Sequence, residues 1–477
     1  MIFKFRNKEI NKISWVLFSQ LFQIISQIVN IIFLTRLFVP NDFGVFAIGM
    51  IIISIVNQVF ILGFSAPLIQ FDNHDKYYGT GWTINLISSL FVTIILILII
   101  PIIIKNFLPE YVDYIYIYQL VSTSVLIVGL NNIGVIELYR KRQTKKLFFL
   151  RGFMEFLKVG LTFIYFYFFP DYRALFFSFL TISVIRLILT YIIAPIKIKV
   201  EIKIDLLKKL FNFSKWIQLK NISKVFSSQF DSIIVASLLS PINLGIYNRS
   251  MIISKVPEQL FQNINDLYSY PILSKNKDNP TFIKRYFDSS LIILIMIASN
   301  VVLFVNLFGK EFINLILGES WVGISEPLGI LIFTMCINSV LSAFFPFVRA
   351  LGFPKIEFKL SLYKTIILVI ISYPLIHYFG LIGAAFSTLI SAILIVPSFI
   401  NLTKPIIGEY VKNIYGVMII WILPAIIIIN LYEFSFINTL QFILNIIGFI
   451  LVYNIISISM ILYFYPKVKF VQFFKSL

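Results

Sequence analysis

The chain runs to 477 residues, 59% of them hydrophobic and only 13% charged, with a mean hydropathy of +0.92. That balance excludes an ordinary soluble globule and describes an all-α polytopic membrane protein. A net charge of +18 on a soluble protein would suggest nucleic acid; here the basic residues fall in loops between apolar spans, so no nucleic-acid partner is expected and anionic membrane lipid is.

A bilayer core about 30 Å thick takes about 20 apolar residues per helix, and about fourteen such transmembrane helices are predicted. They begin near Ser14, Phe43, Gly79, Val112, Leu147, Arg173, Ser214, Gly245, Arg285, Val322, Leu360, Gly380, Tyr415 and Phe436. Met1 to Lys12 is basic and precedes a long apolar run rich in Gln and Asn, which reads as a retained first helix rather than a cleaved leader.

That first helix sets Gln20, Gln23, Gln27 and Asn30 on one face, and Asn57 and Gln58 continue the polar theme in the second. In the fifth, Arg151, Glu155, Lys158 and Thr162 share a stripe, and Arg186 sits near the middle of the sixth. A basic linker over residues 197–213 then leads into the seventh helix, where Lys220, Lys224, Ser227 and Asp231 fall on one stripe. The eighth carries Arg249 and a broader arc of Lys255, Glu258, Gln259, Gln262, Asp266 and Ser269. Charges so deep in apolar segments are costly unless they face protein or water, so the two consecutive polar stripes predict the lining of a buried cavity.

With the N-terminus cytoplasmic, the basic residues around Lys4–Lys12, Lys76, Arg140–Lys146, Lys197–Lys209, Lys275–Arg285, Arg349–Lys359, Lys404–Lys412 and Lys467–Lys475 all lie inside. The outer turns carry Arg36, Lys105, Arg173 and Lys310. Such an excess places both termini in the cytoplasm. The lone Cys336 allows no intramolecular disulfide, and His74 and His377 are far apart, so neither a metal site nor a cofactor is expected.

A shift of 201 positions aligns the two halves without a gap: Trp15 falls on Trp216, Ser26 on Ser227, Pro40 on Pro241, Gly44 on Gly245, Met50 on Met251 and Gln58 on Gln259. Six spans per copy is an even number, so the copies form a parallel pseudo-repeat about an axis along the membrane normal. The expected organisation is a six-helix bundle over residues 1–196, a cytoplasmic linker over 197–213 and a second six-helix bundle over 214–403. Two additional transmembrane helices and a cytoplasmic tail fill 404–477.

The run Thr35-Arg36-Leu37-Phe38-Val39-Pro40-Asn41-Asp42-Phe43-Gly44, followed by Ala66-Pro67-Leu68-Ile69-Gln70, resembles the opening of Wzx-type polysaccharide flippases. So do Ser237 to Pro241 with Gly245-Ile246-Tyr247, Ala350-Leu351-Gly352 with Pro354, and Gly380, Gly383 and Ala385. The family belongs to the superfamily of multidrug extruders (the MATE-like fold) and the lipid II flippase. The resemblance implies two six-helix bundles in a V shape around a cationic cavity, in the bacterial cytoplasmic (inner) membrane. It also implies a substrate, undecaprenyl-pyrophosphate-linked oligosaccharide, moved to the outer leaflet for O-antigen, capsule or exopolysaccharide synthesis. A polysaccharide polymerase and a chain-length regulator are the partners it suggests.

A pyrophosphate cannot cross hydrocarbon alone, so a carrier needs buried cations to replace its water. Lys158, Lys220, Lys224 and Lys255, with Arg186 and Arg249, are the candidates. For Arg249, as for Arg151, Lys215 and Lys364, a position near a helix end also admits snorkelling to the headgroups. Ion pairing of Arg151 with Glu155, or of Lys255 with Glu258, is the structural alternative. Asp231, Glu258 and Glu155 are candidates for a coupling H+ or Na+ site. Gln20, Gln23, Gln27, Asn30, Gln58, Gln259 and Gln262 suit sugar hydroxyls or interhelical hydrogen bonds. The rival readings are a drug or cation antiporter, against which the first helix lacks an acidic residue; a lipid II flippase; and a membrane polymerase or glycosyltransferase, against which the outer turns are short. Nothing in the pattern marks an enzyme.

Overall fold

A computed structural model describes residues 7–60, 65–71, 75–141, 143–264, 272–273, 279–342, 345, 348, 354–407, 448 and 453–454. Among these residues the regular elements are all helical. In chain order they are α1 (Asn7–Leu37), α2 (Pro40–Phe60), α3 (Ser65–Gln70), α4 (Asp75–Phe107), α5 (Ile115–Gly129), α6 (Val135–Arg140) and α7 (Thr144–Phe148). Then follow α8 (Met154–Phe168), α9 (Tyr172–Ile193), α10 (Ile204–Leu238), α11 (Pro241–Ile264), α12 (Pro280–Ile316), α13 (Ser325–Ser342) and α14 (Pro354–Ile407). The first twelve predicted spans fall on these helices, α14 supplying two because Gly380, at φ 58°, breaks it. The predicted helices from Tyr415 and Phe436 lie outside the described residues.

Among the described residues, seven segments are long and apolar enough to cross a membrane, including Pro40–Val59, Asp75–Phe107 and Tyr172–Ile193. The long helices α1, α10 and α11 fall short of that hydropathy because they carry the predicted Gln, Lys and Asp stripes. Low hydropathy in a spanning position therefore marks a polar face.

Two compact units divide the chain, Met1–Asn248 and Arg249–Leu477, with the division inside α11. In the first unit α4 packs along α5, α8 along α9, α2 against α10 and α1 against α8. Val45, Ile48, Val92, Val121, Val125 and Phe176 are buried between them, whereas Tyr116, Tyr167, Phe168 and Ile192 are exposed on an apolar outer face suited to lipid. In the second unit α12 packs on α13 and α13 on α14. Buried hydroxyls bond back to carbonyls three or four residues earlier, as Thr35 does to Ile31 at 2.6 Å and Ser339 to Met335 at 2.7 Å, which satisfies them without water.

Polar caps fix the helix starts. Pro40 opens α2, and the buried Asp42 accepts from the Val39 amide at 3.3 Å and from the Tyr172 amide at 3.1 Å, tying α2 to the first turn of α9. Asp171 caps α9, accepting from the Arg173 amide at 2.9 Å, and its carboxylate pairs with the Arg173 guanidinium at 2.7 Å. Burial raises that carboxyl, but the Arg173 hydrogen bonds outweigh it, so Asp171 ionises below the usual carboxylate range.

Element boundaries carry the internal repeat further than residue identities do, and they correct its register. Pro40 and Pro241 start α2 and α11, at the predicted shift of 201. Further along, the 3-10 turns Pro109–Tyr114 and Glu319–Ile324 recur at 210, each burying one large aromatic residue, Tyr111 and Trp321. Thr144 and Pro354 start α7 and α14 at the same 210. The second copy thus holds nine more residues between α11 and α13, and the gapless alignment holds only through the first helix pair.

At that pair the two copies touch. A side chain on Gly44 would overlap the Pro241 carbonyl, and one on Gly245 would overlap the Pro40 carbonyl. Only glycine permits this reciprocal approach of two helix N-termini.

Candidate functional site

The α8–α9 hairpin turns at Phe169 to Asp171 and brings the charges of both helices to matching depths. Arg186 Nη2 lies 3.8 Å from Glu155 Oε1, with about a third of the arginine side chain and half of the glutamate exposed. The predicted partner for Glu155 was Arg151, whose side chain lies outside the described residues; the described partner is Arg186. The buried Arg186 Nε makes no hydrogen bond among the described residues. One turn above Glu155, the half-buried Lys158 Nζ sits 5.7 Å from the Phe46 ring centroid and 5.9 Å from that of Phe179. Cation–π contact of this kind holds an ammonium without neutralising it. Deeper in the hairpin, Thr162 and Ser178 hydroxyls meet at 2.8 Å and Tyr165 meets Thr181 at 2.7 Å. Lys158 is ten residues from the end of α8, or roughly 15 Å at 1.5 Å per residue.

The α10–α11 hairpin, turning at Leu239–Ser240, holds the second polar group. Asp231 is 2% exposed; its Oδ2 accepts from the Tyr247 hydroxyl at 2.6 Å and its Oδ1 from the Ser232 amide at 2.7 Å. Shifted back by 201, Asp231 and Tyr247 correspond to Asn30 and Phe46, so this pair belongs to the second copy alone. The expected single stripe on α10 divides, with Asp231 buried and Lys224 exposed. The side chains of Lys220 and Gln20 lie outside the described residues. Gln218 is buried and donates to the Gln58 carbonyl. On α1, Gln23 is exposed and Gln27 and Asn30 are half-buried.

Within the second unit, Arg249 is only 5% exposed, so it does not snorkel. Lys255 and Glu258 are half-buried, Gln259 and Gln262 exposed, and Gln262 Nε2 donates to Glu258 Oε1 at 2.8 Å. Lys364, expected near a helix end, is corrected as well: α14 starts at Pro354, placing this lysine ten residues in, with Nζ 2.6 Å from Asn338 Oδ1 on α13. Phe46, Phe179, Tyr247 and Asn338 are partners that sequence reasoning missed. No group of three or more His, Cys, Asp or Glu is placed to hold a metal ion among the described residues.

A family model described as "Polysaccharide biosynthesis protein" matches residues 33–326, more than half of the chain and all of both hairpins. The chain belongs to the polysaccharide biosynthesis protein family. This family member is 24% identical over 440 residues to an "Uncharacterized membrane protein in cps region" of Klebsiella pneumoniae, covering 88% of each chain. It is 26% identical over 192 residues to a "Putative O-antigen transporter" of Shigella flexneri, covering 39% of this chain and 44% of that one. Its fold is that of a structure titled "Lipid II flippase MurJ, inward closed conformation", at a TM-score of 0.75 and 13% identity over 94% of this chain and 99% of that one. The chain is therefore a multi-pass membrane protein of this family with the fold of that solved structure.

Proposed function

We propose that the chain is a non-enzymatic flippase that carries undecaprenyl-pyrophosphate-linked oligosaccharide from the cytoplasmic to the outer leaflet of the bacterial cytoplasmic membrane. The observation that carries this reading is the Glu155–Arg186–Lys158 group, three charges with a net charge of +1 on one helical hairpin whose α9 is long and apolar enough to cross a membrane. The glutamate and arginine side chains are too exposed to be core, and charges on that face are tolerated only if it is wet. Lys158 and Arg186 then meet the pyrophosphate. Lys220, Lys224, Arg249 and Lys255 serve the same anion as it moves, and Gln23, Gln27, Asn30, Gln58, Gln259 and Gln262 contact sugars.

Residues 197–213 act as a cytoplasmic linker between bundles over 1–196 and 214–403, with 404–477 adding two helices and both termini inside. Asp231 carries the coupling proton or sodium ion. Polymerase and chain-length regulator act on the delivered repeat. The test is complementation of a strain lacking this chain: Lys224→Ala with Lys255→Ala, at normal protein levels, abolishes surface polysaccharide and accumulates the lipid-linked repeat unit. Intact export in that double variant contradicts the cationic path.

Lipid II flipping is the second reading, favoured by the fold likeness alone. Rescue of a strain depleted of its lipid II flippase would replace the first reading with this one.

A further inference from the structure

A cavity of about 950 Å³ opens at the basic-loop end of the first unit, away from the hairpin charges. Three distant segments build it: Asp75, Tyr78 and Gly79 at the start of α4; Glu137, Arg140 and Lys141 on and just after α6; and Ile196 to Lys203, extended between α9 and α10. Its volume lies in the range of small-ligand sites.

Five cations and three carboxylates line it. Lys141 pairs with Glu137 at 2.9 Å and Lys203 with Glu201 at 3.0 Å, while Arg140 Nη1 donates to the carbonyls of Leu68, Ile69 and Phe71 at 3.2, 2.7 and 2.9 Å. The Tyr78 hydroxyl donates to Glu137. Lys197 and Lys199 remain, exposed at the cavity and with no ion pair or hydrogen bond among the described residues. The wall behind them is apolar and aromatic, with Leu68, Tyr78, Ile133 and Leu210 buried and Tyr77, Trp82 and Ile198 packed on them. Aromatic residues beside lysines are the signature of a membrane–water boundary.

The segment bearing the lysines is fixed. Glu201 and Lys203 amides donate to the Thr83 and Thr80 hydroxyls at 3.2 Å each, the Asn132 side chain donates to the Ile196 carbonyl at 3.2 Å, and Gly79 admits the Lys199 carbonyl where a side chain would collide. Three hydrogen bonds and one close backbone approach thus hold two uncompensated ammonium groups over a cavity, directly before α10 begins at Ile204.

We infer that this cavity is a second, phosphate-recognising site, which takes a phosphate-bearing headgroup through Lys197 and Lys199. Its occupant is either an anionic phospholipid of the inner leaflet or a soluble phosphate compound, and both present the same doubly ligandable oxygens to the lysines. The site is separate from the proposed transport path, so it stands or falls independently of that reading.

The experiment is lysine footprinting by mass spectrometry on the purified full-length protein. It is run in neutral detergent with and without inorganic pyrophosphate, and in nanodiscs of phosphatidylcholine with and without phosphatidylglycerol. Acylation of Lys197 and Lys199 slows roughly fivefold or more on binding, while Lys105 and Lys310 react as before. Protection by pyrophosphate in detergent assigns a soluble phosphate ligand, and protection only in phosphatidylglycerol assigns the lipid. Equal slowing of all four lysines, or of none, overturns the site. Since Lys197→Gln with Lys199→Gln alters only exposed side chains, this variant also loses roughly tenfold in affinity for whichever probe protects, by native mass spectrometry, and unchanged affinity overturns it too.

Discussion

Gly44 and Gly245 stand 201 residues apart, and each is pressed against the proline carbonyl that opens the other's helix. Equivalent residues of an internal repeat therefore meet across a local pseudo-two-fold. The obstacle is backbone, which cannot turn aside as a side chain would. Gly44→Ala or Gly245→Ala should destabilise the purified protein by about 1–3 kcal/mol, as overpacking does. Gly160→Ala is the control: nothing lies within 4 Å of its added methyl, and a mid-helix alanine should leave the melting temperature unchanged or raise it. Thermal unfolding in detergent reads both.

For the buried Asp231, removal of the Tyr247 donor leaves the carboxylate with Ser232 alone. Tyr247→Phe should cost about 1–3 kcal/mol. Adding Asp231→Asn recreates the first copy's Asn–Phe pair and should recover most of that loss, a non-additivity measured by a double-mutant cycle. Should Asp231 carry the coupling ion, the double variant is stable yet transports nothing.

Glu155 and Arg186 separate function from stability. A half-exposed pair at 3.8 Å contributes under about 1 kcal/mol to folding. Arg186→Gln should therefore leave expression and melting close to wild type while export of surface polysaccharide falls. A parallel fall in stability would make the pair structural.

Lys364 and Asn338 join α14 to α13 within the second unit. Asn338→Leu removes the oxygen that accepts from a half-buried ammonium and should destabilise by roughly 2–3 kcal/mol, more than Lys364→Met, which removes the charge itself. The order of the two melting temperatures checks this.

The charged residues of the site were legible as helix stripes, but their partners were not: Glu155 was expected to pair with Arg151 and Asp231 was given no partner, whereas the hairpins bring Arg186 to Glu155 and Tyr247 to Asp231 across their turns. The helices themselves were legible because lipid demands long apolar runs, and they are hard to mistake. Phe46 and Phe179 were hidden because aromatics make up 17% of the chain, and an aromatic that holds Lys158 looks like any other. Lys364 was misjudged because apolarity begins near Leu360 whereas the helix begins at Pro354. The basic cavity was invisible because its three segments share no periodicity and meet only in the fold.

The central claim is that cations of the α8–α9 hairpin serve a pyrophosphate-linked glycan. Its most direct test is translocation of a fluorescent undecaprenyl-pyrophosphate oligosaccharide in proteoliposomes, wild type against Lys158→Gln with Arg186→Gln. Wild type should move the lipid to the opposite leaflet, and the double variant, equally folded and reconstituted, should move it at the protein-free rate. Equal rates for the two proteins, or no translocation by either, would contradict the account.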